Sequence, residues 1–270
     1  MKLGTTRVCL VAGLLFLSLT AQAADGVAES TQFGTKRLDF TVGETPGFVI
    51  VPPTLRYESA HPWVWYAPTF IKRLPDPSHA FYMKPLLEAG FFVAGVEVGE
   101  SFGSPTGTAQ YQAFYEHVVK TYDLSPKAAL LPQSRGGLML HNWAAAHPES
   151  VASVAGIYTV CNIASYPGVP KAAPAYGMTA EELGAALPKH NPIDQVAPLV
   201  AAKVPVFHIH GDSDSVVPIE KNAGELVKRY VAAGGEARIK VVPGKGHEVC
   251  DEFFKDETFL AFILKRGTGR

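Results

Sequence analysis

Short apolar runs alternate with longer amphipathic stretches along most of the chain. That alternation predicts a largely parallel sheet with helices on both faces. Residues 36–42 and 47–51 read as an opening hairpin-like pair around Gly43-Glu44-Thr45-Pro46. Residues 63–67, bounded by Pro62 and Pro68, read as the next strand. A helix over 81–89 is stopped by Gly90, and a buried strand follows over 91–98. Helix-period aromatics fill 111–122, and the strand 128–132 leads into a Ser-Arg-Gly-Gly turn and a helix over 138–146. Further strands are predicted over 151–158, 204–210 and 238–242. Helices are predicted over 219–233, closed by Gly234-Gly235, and over 256–264. Residues 162–202 break the rhythm with many Pro, Gly and Ala and only a weak helix over 179–187. An insertion at this place is expected to form a small lid, or else a plain connection covering the sheet edge.

The first residues change the picture of where the chain works. Lys2 and Arg7 precede an apolar run over 8–19, and Ala21-Gln22-Ala23 supplies a small-x-small cleavage pattern. The run is too short to span a bilayer comfortably, so residues 1–23 are expected to be a signal peptide that is removed. Residues 24–270 are then one periplasmic or secreted domain with no stable membrane anchoring. The 24 basic side chains, less Lys2 and Arg7, leave 22 against 25 acidic ones. That mild balance shows no nucleic-acid footprint and favours neutral or small-molecule partners. Cys161 and Cys250 remain after cleavage. In an oxidising compartment they either form a disulfide or stay as two separate small residues.

Candidate chemistry sits in three segments, each at the C-terminal end of a predicted strand, the edge where parallel sheets bind ligands. In Leu131-Pro132-Gln133-Ser134-Arg135-Gly136-Gly137 a strand runs into a serine and two glycines open a helix. A nucleophile elbow needs that tight turn, and Gly136 permits a helix–strand approach that a side chain would block. Pro132 stands where a first glycine is usual. Alone, Ser134 reads equally well as a helix N-cap. In His210-Gly211-Asp212-Ser213-Asp214, Asp214 is the expected acid and Asp212 a turn former. In Gly244-Lys245-Gly246-His247, a glycine-flanked His247 comes last, as base. Ser, then Asp, then His is the chain order of one triad fold and not of the others. The oxyanion is expected to meet Arg135 N–H and an N–H from the loop after residues 63–65, with Ala67 or Tyr66 ahead of Thr69. Glu100, Ser101 and Phe102 follow a strand end and are expected to contact substrate. The Arg135 side chain either meets a substrate carboxylate or the oxyanion itself, or pairs with an acid. His208 and His210 share a strand face, but no further ligand cluster accompanies them. Neither a metal nor any other cofactor is expected.

From residue 62 onward the chain resembles α/β-hydrolases of the prolyl-oligopeptidase and dienelactone-hydrolase-like branch. Secreted bacterial hydrolases carrying Phe-Gly-Ser-Pro (Phe102 to Pro105), Ser-Arg-Gly-Gly-Leu (Ser134 to Leu138) and Asn-Trp-Ala-Ala (Asn142 to Ala145) look most similar. The resemblance implies an α/β-hydrolase fold and esterase-like activity, with acylated oligosaccharide fragments or small esters as substrates. A serine peptidase would use the same triad, and a non-catalytic binding protein would have no need to keep all three members. Prolyl-oligopeptidase-type enzymes usually add a propeller, for which residues 24–35 leave no room.

Overall fold

The computed structural model describes residues 26–269, so the expected signal peptide lies outside the described residues. Three strands open the chain: β1 (Ala28–Gln32), β2 (Thr35–Val42) and β3 (Thr45–Ile50). Then come β4 (Trp63–Ala67), α1 (Ala80–Glu88), β5 (Phe92–Val96), α2 (Pro105–Thr121) and β6 (Ala128–Pro132). They are followed by α3 (Gly136–Ala146), β7 (Val151–Ile157), α4 (Val169–Ala172), α5 (Ala180–His190) and α6 (Ala197–Ala201). The chain ends in β8 (Val206–Gly211), α7 (Ala223–Ala232), β9 (Ala237–Val242), α8 (Asp251–Phe254) and α9 (Glu257–Arg266).

The strands form one sheet in the order β1-β2-β3-β5-β4-β6-β7-β8-β9. β1, β2, β3 and β5 pair antiparallel, and every pairing from β5 through β9 is parallel. β4 to β8 are buried along their whole length, which is why they read as unbroken apolar runs rather than alternating ones. The pleat divides β4: Trp63, Trp65 and Ala67 face α2, α3, α6 and α7, whereas Val64 and Tyr66 face α1, α8 and α9. On the first face Trp65 meets Trp143 edge-on at 4.7 Å and stacks on Tyr111 at 5.2 Å. Each such pair contributes about 1 kcal/mol beyond its buried area.

Two expectations need correction, those for residues 219–233 and for Phe102, and the alternative left open for the cysteine pair is decided. The helix expected over 219–233 is broken at Asn222, whose buried amide takes the Cys161 and Asn162 N–H groups and donates to Ser165 and Pro218. Those bonds outweigh continuing the helix, so residues 219–221 form a 3₁₀ turn and α7 starts at Ala223. Cys161 and Cys250 are free rather than bridged. Cys161 packs into the core on one face of the sheet and Cys250 against the core on the other, which keeps the thiols apart. Phe102, expected to contact substrate, is buried in a third apolar cluster with Leu138, Val160, Ile163, Leu183 and Val217.

That third cluster fastens the segment between β7 and β8 onto the body. Tyr176 donates to the Phe102 carbonyl at 2.9 Å and Asn142 to the His190 carbonyl at 2.8 Å. Within it, α5 is entered through a capping box in which Thr179 and Glu182 satisfy each other's backbone N–H groups. Among the described residues no helix is long and apolar enough to cross a membrane.

Candidate active site

β6 delivers Ser134 into a sharp turn. Ser134 has φ 52°, a left-handed conformation that costs an L-residue about 1 kcal/mol or more. The turn is clasped on both sides: Ser134 N–H donates to Ile157 at 3.0 Å, and Val160 N–H donates back to Ser134 at 2.9 Å. A Cβ on Gly136 would collide with the Ala67 carbonyl oxygen, and one on Gly137 with the Val160 carbonyl. The two glycines of Ser-Arg-Gly-Gly therefore let α3 start directly beneath two strand ends.

β8 and β9 supply the other two segments, and these are laced together. Ser213 N–H donates to the Lys245 carbonyl at 3.0 Å, and the Asp212 carboxylate takes the Gly244 N–H at 2.7 Å. Gly211 lies so close to Lys245 that a side chain there would strike its carbonyl. Asp212 thus shapes the turn, and Asp214 is left to face the imidazole. His247 Nδ1 lies 2.8 Å from Asp214 Oδ2, and His247 Nε2 lies 2.7 Å from Ser134 Oγ. Residues separated by 113 positions meet at the C-terminal edge of the parallel strands.

The Asp214 carboxylate is fully saturated. Oδ1 accepts from Val216 N–H at 3.0 Å and Val217 N–H at 2.8 Å. Oδ2 faces His247 and also His210 Nε2, at 3.2 Å. Burial alone would raise its pKa. The bonds from His210, His247 and Val217 together outweigh burial and hold the group well below the usual carboxylate range.

Other expected site residues divide. Arg135 begins α3, its side chain pairs with Glu100 and its guanidinium lies 5.6 Å from the Phe70 ring centre, so the acid-paired reading describes the resting contact. Ser101 is turned inward against Gly107, and Phe102 belongs to the third apolar cluster. Tyr66 and Ala67 are still strand residues, paired with Leu131 and Pro132, and the Ala67 carbonyl takes the Gln133 N–H. The first N–H beyond the strand belongs to Thr69, because Pro68 has none. Thr69 is buried at φ 108°, a strained backbone for a β-branched residue. His208 bonds Thr159 Oγ1 at 2.8 Å and His210 bonds the Val217 carbonyl at 2.8 Å. The described residues contain no metal-ligating cluster of three or more.

Residue-by-residue reading missed Tyr158, whose ring packs on that of His247 with centroids 4.5 Å apart. The available signal was its place: a bulky aromatic directly after a buried strand, at the same sheet edge as the serine. It also missed His210 as a second imidazole on Asp214.

Between α3 and β8, His141 and His208 stack with ring centres 5.5 Å apart, both buried. Burial holds His141 down to about 4, and burial followed by its two imidazole neighbours holds His208 well below its ordinary value. An unfolded chain protonates these rings from about pH 6.5. The folded His141 stays neutral until about pH 4. Between those values the unfolded state binds more protons, so stability falls as the pH drops. The His141 share is about 3 kcal/mol. Urea midpoints at pH 7 and pH 4 check this. His141→Phe should lower stability at pH 7 but flatten the acid loss, and an unchanged loss in that variant would refute it.

The phospholipase/carboxylesterase family profile matches residues 161–264, a stretch that holds Asp214 and His247 and begins after Ser134. No curated protein matches the chain. Among solved structures, the S-formylglutathione hydrolase of Agrobacterium tumefaciens superposes with a TM-score of 0.70 at 16% identity. The match covers 91% of this chain and 99% of that one. Est1E from Butyrivibrio proteoclasticus gives 0.62 at 16% identity over 90% and 99%. A puromycin-hydrolyzing peptidase of Mycobacterium tuberculosis gives 0.68 at 12% identity, over 87% of this chain but 39% of the peptidase. At such identities what is shared is the fold.

Proposed function

We propose that this chain, whose fold is that of the α/β-hydrolases, is a serine hydrolase that cleaves carboxylic esters through an acyl-enzyme. The observation that carries the reading is the unbroken line from Ser134 Oγ through His247 to Asp214, at 2.7 and 2.8 Å. His247 Nε2 takes the Ser134 proton as Oγ attacks the ester carbonyl, and Asp214 holds the imidazole with Nδ1 protonated. The imidazolium then gives its proton to the leaving alcohol. Water, activated by the same nitrogen, frees the acid. Arg135 N–H at the start of α3 and Thr69 N–H beyond β4 are the donors for the oxyanion. Arg135 and Glu100, paired beside Ser134, are the side chains that meet polar substrate groups. The leader pattern supports export of the mature protein, and the phospholipase/carboxylesterase profile match supports the ester over the amide.

The test is a substrate panel with site mapping. Purified protein is given p-nitrophenyl acetate and butyrate, an amino-acyl p-nitroanilide, and a fluorophosphonate whose adduct is located by peptide mass. Ester turnover with the adduct on Ser134 is the expected result. Amide turnover without ester turnover would make the protein a peptidase, and no adduct at all would leave a binding protein on the same scaffold. Acetylated, methyl-esterified and feruloylated oligosaccharides then sort the substrate class.

A further inference from the structure

The backbone before His247 is pinned at Gly244 and Lys245, but the half-buried imidazole itself leaves the loop just after Gly246, and no side chain of that loop packs on the ring. The bond to Asp214 fixes Nδ1 but leaves the ring free to swing about that contact. We propose that Tyr158 is the positioning residue that stops this swing, and that a polar chain running inward from half-exposed Asp76 through buried His79 and half-buried Gln133 holds Tyr158 in place. The inference rests on the serine-hydrolase reading of the same site.

Backbone and side chain both point this way. Tyr158 sits at φ 35°, an outlier for a bulky residue, between the two hydrogen bonds that clasp Ser134. Its N–H is anchored on the Ile209 carbonyl at 2.8 Å. Strain of that kind persists only where the surroundings over-determine it, and here it turns the ring against His247 at an interplanar angle of 57°. Phe253 packs edge-on against the same ring at 5.3 Å.

The hydroxyl end is tied as firmly. Gln133 Nε2 donates to the Tyr158 oxygen at 2.9 Å. The amide cannot flip without loss, because Gln133 Oε1 receives the Tyr66 hydroxyl at 2.8 Å and lies 3.0 Å from His79 Nε2. His79 is itself buried, with Nδ1 3.0 Å from the Asp76 carboxylate and 3.1 Å from Ser78 Oγ. None of these groups is needed for acyl transfer. Burying the polar ends of Tyr66, His79 and Tyr158 is costly unless each is satisfied, and here each is bonded. A satisfied network next to a nucleophile gives rigidity, and Tyr158 is where that rigidity reaches the base. Both ends of the Ser134–His247 contact are thereby set by one framework, since Gln133 is also the residue before the nucleophile.

Kinetics on p-nitrophenyl butyrate, expressed per serine titrated with fluorophosphonate, test the inference without counting misfolded protein. Tyr158→Leu removes the ring and should lower kcat roughly 10- to 100-fold, with KM within about threefold, as expected for misplacing a reacting group. Tyr158→Phe keeps the ring and should restore most of that loss, staying within about fivefold of the parent. Gln133→Leu should match Tyr158→Phe, and the double variant should be no worse than either single one, because both cut the same tether. A Tyr158→Leu variant with parental kcat, a loss confined to KM, or fully additive Gln133 and Tyr158 effects would overturn the inference. Ser134→Ala is the blank: if it still turns over, the serine-hydrolase reading and this inference fall together. If it is inactive while Tyr158→Leu is not impaired, only the role of Tyr158 fails.

Discussion

Ser134→Ala should lower kcat toward p-nitrophenyl esters by about 10⁶-fold, close to the loss expected from removing the whole triad, because its members act as a unit. The hydroxyl's hydrogen bond in the structure is to His247 at 2.7 Å, and that imidazole keeps Asp214 when the serine is gone. Alanine takes the same left-handed backbone at the same cost. The variant should therefore stay within about 1 kcal/mol of the parent in urea unfolding. Activity and stability would separate cleanly. Glycine at 134 sharpens the point: it should be as inactive as alanine, yet relieved of the φ 52° strain. A Ser134→Ala protein that keeps more than a hundredth of the parental kcat would remove the nucleophile from the proposal.

The buried strands were the legible part of the fold. β4 and β6 fall at the residues expected, because strands covered on both faces must be apolar throughout and their flanking prolines and glycines mark the ends. β1 was not expected. Its Ala-Glu-Ser-Thr-Gln is mostly exposed at the sheet edge, held by pairing with β2, so no periodicity betrays it. The short helices α4, α6 and α8 escaped for a related reason: four or five residues carry too little pattern, and tertiary contacts set them.

Within the site, the three segments could be read because each pairs a strand end with a residue type that does little else there. What surrounds them was less legible. Ser101 and Phe102 follow β5 just as Glu100 does, but the backbone turns at Phe102, with φ 48°, and sends its ring under the segment that follows β7. Position on the correct edge therefore did not imply orientation toward Ser134. Tyr66 and Ala67 lie inside β4, whose bounds were read as 63–67, so an oxyanion donor in the loop beyond it falls to Thr69 rather than to them. His210 and Tyr158 were hidden by their strands: each reads as one more buried residue until the loops of β7, β8 and β9 are folded against one another.

Asp214→Asn should lower kcat about 10⁴-fold while leaving KM for small esters near its parental value. The reason lies in which carboxylate oxygen each partner uses. Oδ1 accepts from Val216 and Val217 N–H groups, so the asparagine carbonyl must settle there and its NH₂ must take the place of Oδ2. That NH₂ then faces His247 Nδ1, 2.8 Å away, and can only donate to it. The imidazole is forced into the tautomer with the proton on Nε2, the nitrogen that has to receive the Ser134 proton. On the other side, the NH₂ meets His210 Nε2, whose hydrogen is shared between the Val217 carbonyl at 2.8 Å and the Oδ2 position at 3.2 Å, so two donors are opposed in a fully buried place. A stability loss of about 1–3 kcal/mol should accompany the kinetic one. The fluorophosphonate reaction of Ser134 should slow with kcat, since both need the same proton transfer. Fast labelling together with a kcat within tenfold of the parent would mean that Asp214 holds the loop rather than the tautomer.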